Sequence, residues 1–129
     1  KEKGIEDARQ IVESAKAGLP LFFFAEGTFT RIPGLLPFHM GAFLAAAEAG
    51  VPVVPIAIRG TRSVLLDDTW YPRRGMVIVT IGKPIEPAHM QDPTPSNLWQ
   101  EALRLRNAAR EHILRYCGEP DLSYEESPV

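Results

Sequence analysis

Leu21-Phe22-Phe23-Phe24-Ala25-Glu26-Gly27-Thr28 is the stretch on which the reading of this chain turns. Its first five residues are apolar without alternation, the pattern of a strand buried on both faces, as in a parallel sheet. A buried helix segment would show the same run, but the short length and the flanking Pro20 and Gly27 favour a strand. Three of the six phenylalanines sit here and are expected to form much of the core. The strand then opens into a glycine turn. In open α/β sheets ligands bind just beyond strand C-termini, which makes Glu26-Gly27-Thr28 the candidate site.

Working outward, Ile5, Ala8, Ile11, Val12 and Ala15 recur at helical spacing between charged residues, and predict an amphipathic helix over 5–17. Gly18 and Pro20 stop it. Residues 26–37 read as a loop, marked by Gly27, Pro33, Gly34 and Pro37. A second helix is expected over 38–49, with Met40, Phe43, Leu44 and Ala47 as its apolar stripe and Gly50 as its end. Residues 53–58 and 76–81 are the next strand candidates. Pro55 lacks an N–H and should fall at an edge, a bulge or an irregular pairing. The 82–94 segment, with Pro84, Pro87 and Pro93, reads as a crossover loop. Thr94 as cap and Pro95 in the first turn announce a long helix over 96–116, lined by Leu98, Ala102, Leu105, Ala109 and Ile113. The order helix–strand–helix–strand–strand–helix points to an α/β layer structure in one domain.

Composition narrows the classes further. The 129 residues carry 14 basic and 16 acidic groups, and 45% are apolar, which excludes whole-chain disorder and argues against a nucleic-acid binder. A single cysteine, Cys117, excludes a disulfide scaffold and a cysteine-based zinc site; it reads as a small buried apolar group. The longest apolar run falls far short of the roughly 20 residues of a spanning helix. The start of the chain reads as an amphipathic helix and not as a signal peptide. Four acids, Glu119, Asp121, Glu125 and Glu126, gather in the last segment, which is expected to be a solvated acidic tail from about 119.

At the candidate site, Gly27 lets a ligand approach the backbone. Exposed amides, the Thr28 and Thr30 hydroxyls and Arg31 are donors suited to a phosphate, and Glu26 can accept from a substrate hydroxyl or orient Arg31. Such groups suit a phosphorylated polyol. The residues alone equally allow Glu26 and Arg31 to be a structural pair. His39, at the start of the second helix, is a phosphate-contact candidate or an ordinary helix-terminus residue. His89 and His112 read as solvent-facing, and no two histidines have metal-ligand spacing.

Glu26-Gly27-Thr28 after an aromatic strand resembles the third block of the glycerolipid acyltransferases, the 1-acylglycerol-3-phosphate acyltransferases among them. That block usually reads Phe-Pro-Glu-Gly-Thr-Arg-Ser. Val51-Pro52-Val53-Val54-Pro55-Ile56 resembles the family's later Val-Pro-x-x-Pro-Val strand, and Gly41-Ala42-Phe43 opens a family-like helix between the two. The resemblance covers roughly residues 5–87. It implies a partial glycerol-3-phosphate-acyltransferase-like α/β fold, a mainly parallel sheet with flanking helices. It implies that Glu26, Gly27, Thr28 and Arg31 bind the acceptor's glycerol phosphate, and that Val53 and Pro55 shape the site wall or acyl channel. Ala25 stands where the family has proline, and Phe29 and Thr30 intervene before Arg31. Gly60-Thr61-Arg62-Ser63 spells the block's usual ending but follows the wrong strand and has Arg59 where glutamate belongs, so it reads as a decoy; Arg59 and Arg62 remain within possible reach of the site.

The family's chemistry rests on a His followed, after any four residues, by Asp. Such a His deprotonates the acceptor hydroxyl while the Asp fixes its tautomer. None of His39, His89 and His112 has an Asp at that spacing. The resemblance therefore implies the C-terminal portion of a single acyltransferase domain, with no catalytic residue of its own and inactive alone. It further implies lysophospholipid and acyl thioester (acyl-CoA or acyl-carrier protein) as substrates, no other cofactor, a cytoplasmic place peripheral to a membrane, and phospholipid biosynthesis as the process. Phe29, Leu35, Leu36 and Phe38 would either meet that membrane or fold onto the core. An incomplete sheet implies a homo-oligomer formed through its open edge. The alternative is a non-enzymatic phosphate- or lipid-binding module on the same scaffold; a phosphotransferase is disfavoured by the lack of a glycine-rich lysine loop.

Overall fold

In the computed structural model, which describes residues 2–28, 33–64, 71–72 and 74–123, the long C-terminal helix packs against the second helix on one side and the first strand on another. The elements run α1 (Glu2–Lys16), α2 (Gly41–Ala49), β1 (Ile56–Arg59), α3 (Thr61–Val64), β2 (Ile78–Ile81) and α4 (Pro95–Cys117). Helix α4 starts as its residues dictate: the Thr94 hydroxyl accepts from the Asn97 amide at 3.2 Å, Pro95 occupies the first turn, and Gly118 closes the helix at φ 70°. Gly50 ends α2 in the same left-handed conformation, its amide donating to Ala46 O.

The apolar stripe of α4 faces inward as its spacing requires. Ala102, Leu105 and Ala109 are at most 2% exposed and meet Phe43, Ala46 and Ala47 of α2 together with Leu35 and Phe38. Of the four residues that stood between membrane and core, Leu35 and Phe38 are buried and Leu36 is half-buried, while Phe29 lies outside the described residues. Helix α1 packs on α2, and α4 carries β1 on another part of its surface. A buried carboxylate, Glu101, ties the 82–94 segment to α4: it accepts from the Ala88 amide at 2.8 Å and pairs with Arg104, whose Nη2 donates to Glu86 O.

Mixed helix and strand is what the pattern of residues predicts, but the sheet differs in detail. β1 and β2 pair antiparallel, Ile56 opposite Ile81 and Ile58 opposite Val79. Where a mainly parallel sheet was expected, this two-stranded pair is the one sheet among the described residues. Parallel strands need a crossover long enough to carry the chain back, and the described part of the β1–β2 connection holds only the four-residue α3. Pro55 falls at an irregularity, as its missing N–H requires. Two residues lie between Val53 and Ile56 but three between Ile81 and Ile85, so the second segment carries one extra residue between the Val53–Ile85 bridge and the ladder. There Pro55 acts only as acceptor, taking the Gly82 amide at 2.8 Å.

The larger correction concerns Leu21–Ala25. No strand forms over these residues, and the phenylalanines do not build the core: Phe22 and Phe24 are 83% and 87% exposed, and Phe23 is half exposed. Only Ala25 packs against the central cluster. An apolar run becomes core only where other elements cover it, and the described residues cover this one at a single end. The β1–β2 face bearing Ile58, Val79 and Ile81 is similarly exposed. Stability must therefore come from the α2–α4 interface. Truncating its best-buried large side chain, Leu105→Ala, is expected to cost about 2–5 kcal/mol, read as a lowered midpoint in urea denaturation followed by circular dichroism.

Candidate functional site

The Glu26-Gly27-Thr28 turn forms at the surface and is held from three directions. Its own backbone closes it: Gly27 takes φ +71°, and its amide donates to Phe24 O at 3.0 Å. From one side the His39 amide donates to Ala25 O at 2.9 Å. From below, the half-buried Glu26 carboxylate accepts the Leu36 amide through Oε2 at 2.9 Å. The exposed His39 ring rests against Gly27. A Cβ at that glycine would stand 2.7 Å from the ring Cδ2 and 2.8 Å from Nε2. Gly27 thus meets two demands at once, a left-handed backbone and contact with an aromatic ring. The sequence pattern anticipated the first of these and not the second.

Glu26, Gly27 and Thr28 are therefore together, with His39 beside them. Phe29, Thr30 and Arg31 lie outside the described residues. Val53 and Pro55 are placed elsewhere. Val53 packs against the core cluster, and Pro55 lines a separate cleft of about 450 Å³ with Thr80, Ile81, Ala108, His112 and Tyr116. Arg59 and Arg62 turn towards the C-terminal end of α4: the Arg59 side chain lies over Gly118, and Arg62 Nε donates to Glu119 Oε1 at 2.8 Å. His89 is exposed as expected, whereas His112 packs on Tyr116, ring centroids 4.8 Å apart, with Nε2 3.4 Å from Thr80 O. Cys117 is buried, as its small apolar character suggested. A groove of about 950 Å³ runs between α1 and α2, walled by Ile11, Val12, Phe23, Leu44 and Ala45 and reaching Ala25 and His39. Among the described residues no three His, Cys, Asp or Glu side chains gather to hold a metal, and no helix is long and apolar enough to cross a membrane.

Beneath the turn lies a cluster that the residue pattern did not single out. Arg110, on the buried face of α4, donates through Nη1 to Leu36 O at 2.7 Å and through Nη2 to Leu35 O at 3.0 Å, and pairs with Asp121. Its guanidinium carbon stands 4.8 Å over the Phe38 ring. Leu35 is also sandwiched by the chain end, its amide donating to Pro120 O at 2.7 Å and its carbonyl accepting from Leu122 N at 3.0 Å. The acidic segment read as solvated is thus engaged at Glu119 and Asp121. The signal available was a charge inside an apolar stripe, Arg110 beside Ala109. The hydrogen bond from Arg110, opposed by partial burial and aided by the Ser123 amide, brings the Asp121 carboxyl from its ordinary 3.8 down to about 2.

Residues 1–59 match the family model described as Acyltransferase. The chain is 40% identical over 82 residues to the chloroplastic 1-acyl-sn-glycerol-3-phosphate acyltransferase BAT2 of Brassica napus, covering 63% of this chain and 24% of that one. It is 42% identical over 79 residues to the 1-acyl-sn-glycerol-3-phosphate acyltransferase of Haemophilus influenzae, covering 61% and 31%. The crystal structure of the 1-acyl-sn-glycerophosphate (LPA) acyltransferase PlsC from Thermotoga maritima superposes with a TM-score of 0.66 at 23% identity, over 86% of this chain and 46% of that chain. The resemblance to the glycerolipid acyltransferases carried by Glu26-Gly27-Thr28 and Val51–Ile56 is thereby borne out, and the fold agrees. The chain spans about a quarter to a third of the length of these curated relatives.

Two outcomes follow from this geometry. Gly27→Ala must place an L-residue at φ +71° and displace the His39 ring, and is expected to lower stability by about 1–2 kcal/mol while moving the His39 ring resonances in NMR. Asp121 has a lower pKa folded than unfolded, so its contribution is present above about pH 4 and is lost as pH falls through about 2. Acid titration of the urea midpoint is expected to show that loss, about 1–2 kcal/mol, and Asp121→Asn to flatten it.

Proposed function

We propose that this chain carries the acceptor-binding part of a 1-acyl-sn-glycerol-3-phosphate acyltransferase, an enzyme of phospholipid biosynthesis. The observation that carries the reading is the Glu26-Gly27-Thr28 turn. Gly27 and Thr28 are exposed, the Glu26 carboxylate is half-buried behind them, and the His39 ring lies against Gly27. In this reading the glycerol phosphate of a lysophosphatidic-acid-like acceptor meets the turn, and Arg31 supplies the charge that pairs with phosphate.

The reaction moves an acyl group from an acyl-CoA or acyl-carrier-protein thioester to the acceptor hydroxyl. The hydroxyl oxygen attacks the thioester carbonyl, the C–S bond breaks, and the proton passes to a general base. A His followed, after four residues, by an Asp does not occur in these 129 residues, so the chain binds acceptor but does not turn it over. A lipid acceptor also brings the protein to a membrane surface as a peripheral partner.

Titration of the 129-residue chain with glycerol 3-phosphate is expected to move the Gly27 and Thr28 amide resonances. Glu26→Gln is expected to weaken that response several-fold, and thioester-dependent acyl transfer is expected to be undetectable. An unresponsive turn would refute the reading, and robust transfer would refute the missing base. The exposed phenylalanines and the open β1–β2 face favour self-association. Sedimentation equilibrium is expected to show species heavier than the 14.3 kDa chain, and a strict monomer would count against an uncovered sheet.

A further inference from the structure

We propose that Arg110 is a positioning residue for the Glu26-Gly27-Thr28 turn, acting through the Leu35–Leu36 backbone, with Asp121 as its anchor. Leu36 is gripped at both ends: its amide donates to Glu26 Oε2 at 2.9 Å and its carbonyl accepts Arg110 Nη1 at 2.7 Å. A continuous series of hydrogen bonds therefore runs from Asp121 through Arg110 and Leu36 to Glu26, and Gly27 follows Glu26 directly. Each link is short, and each joins segments distant in sequence.

The chemistry requires arginine at this place. Two neighbouring carbonyls and one carboxylate converge on a single head group, and only a planar guanidinium spreads donors in a fork wide enough for all three. An ammonium also has three donors, but all on one nitrogen, without the span of the two Nη groups. The fork is also fixed in orientation by the Phe38 ring 4.8 Å from its carbon and by Asp121. Residues 120–122 complete the grip. The Leu122 side chain fills the space a Cβ on Gly34 would take, and Leu35 exchanges backbone hydrogen bonds with Pro120 and Leu122. The end of the chain, which carries no part of the recognisable family blocks, thus sets where Glu26 stands.

This inference rests on the reading that the turn receives a phosphate, and the experiment separates the two. Glycerol 3-phosphate is titrated into the 129-residue chain and into Arg110→Lys, Asp121→Asn and Glu101→Ala, with amide resonances, affinity and urea midpoint followed in each. Arg110→Lys is expected to move the Leu36, Glu26 and Gly27 amides and to weaken binding about tenfold. Asp121→Asn is expected to move the same amides less, and it carries the test if the lysine variant does not fold. Glu101→Ala frees the Ala88 amide and Arg104, away from Leu35 and Leu36, and is expected to lower the urea midpoint while leaving the Gly27 amide and the affinity unchanged. An unmoved Gly27 amide with full affinity in both Arg110→Lys and Asp121→Asn would overturn the proposal. So would an equal loss of affinity in Glu101→Ala, since general destabilisation would then explain everything. If the unaltered chain shows no response to glycerol 3-phosphate, the functional reading fails by itself. Positioning is then decided by the amides alone, displaced in its favour or unmoved against it.

Discussion

One guanidinium holds together the parts of this chain that matter most to its chemistry. Arg110 meets the Leu35 and Leu36 carbonyls and the Asp121 carboxylate at once, joining α4, the loop that follows the candidate site, and the end of the described chain. Burying a guanidinium is costly unless its donors are met and its charge is paired. Here two backbone carbonyls in a part-buried loop and a carboxylate take the donors of Nη1 and Nη2, and an aromatic face lies against the head group, while the buried Nε meets no partner among the described residues. The interaction substitutes for regular secondary structure. Residues 33–40 form neither helix nor ladder, and within them the Leu35 and Leu36 backbone groups are satisfied by Arg110, Glu26, Pro120 and Leu122.

The same constraint explains the character of Glu26. Its carboxylate is at once a bracket for the Leu36 amide and the residue the family resemblance assigns to the acceptor. These roles are compatible because a carboxylate offers two oxygens and several lone pairs, of which the Leu36 amide engages one oxygen. A group fixed in this way loses little conformational freedom when a ligand arrives. The adjacent turn is held by Gly27 and His39, so the site is built from backbone geometry and one ring and not from a cluster of charges.

Elsewhere the molecule is lopsided. The α2–α4 interface is closed and well packed, while Phe22 and Phe24, the β1–β2 face and the groove between α1 and α2 stay open. The chain spans about a quarter to a third of the length of the curated relatives it matches. The core that exists is therefore a helical one with a small antiparallel sheet on its flank.

Much of this was legible in the residues. The three long helices, their caps at Thr94, Gly50 and Gly118, the inward stripe of α4 and the irregular pairing at Pro55 all follow from local rules: spacing, left-handed caps and a missing N–H. The Glu-Gly-Thr turn was legible too, since a glycine after an apolar run demands a bend. The fate of the phenylalanine run was not. Periodicity reports that a segment wants cover and says nothing of whether cover is present. Nor could spacing reveal that Arg110, Leu36 and Asp121 converge, because they are 74 and 11 residues apart along the chain. Local backbone preference is written residue by residue and so belongs to the sequence. Which apolar faces are closed, and which distant polar groups satisfy one another, depends on how all the elements pack at once, and only the tertiary structure decides it.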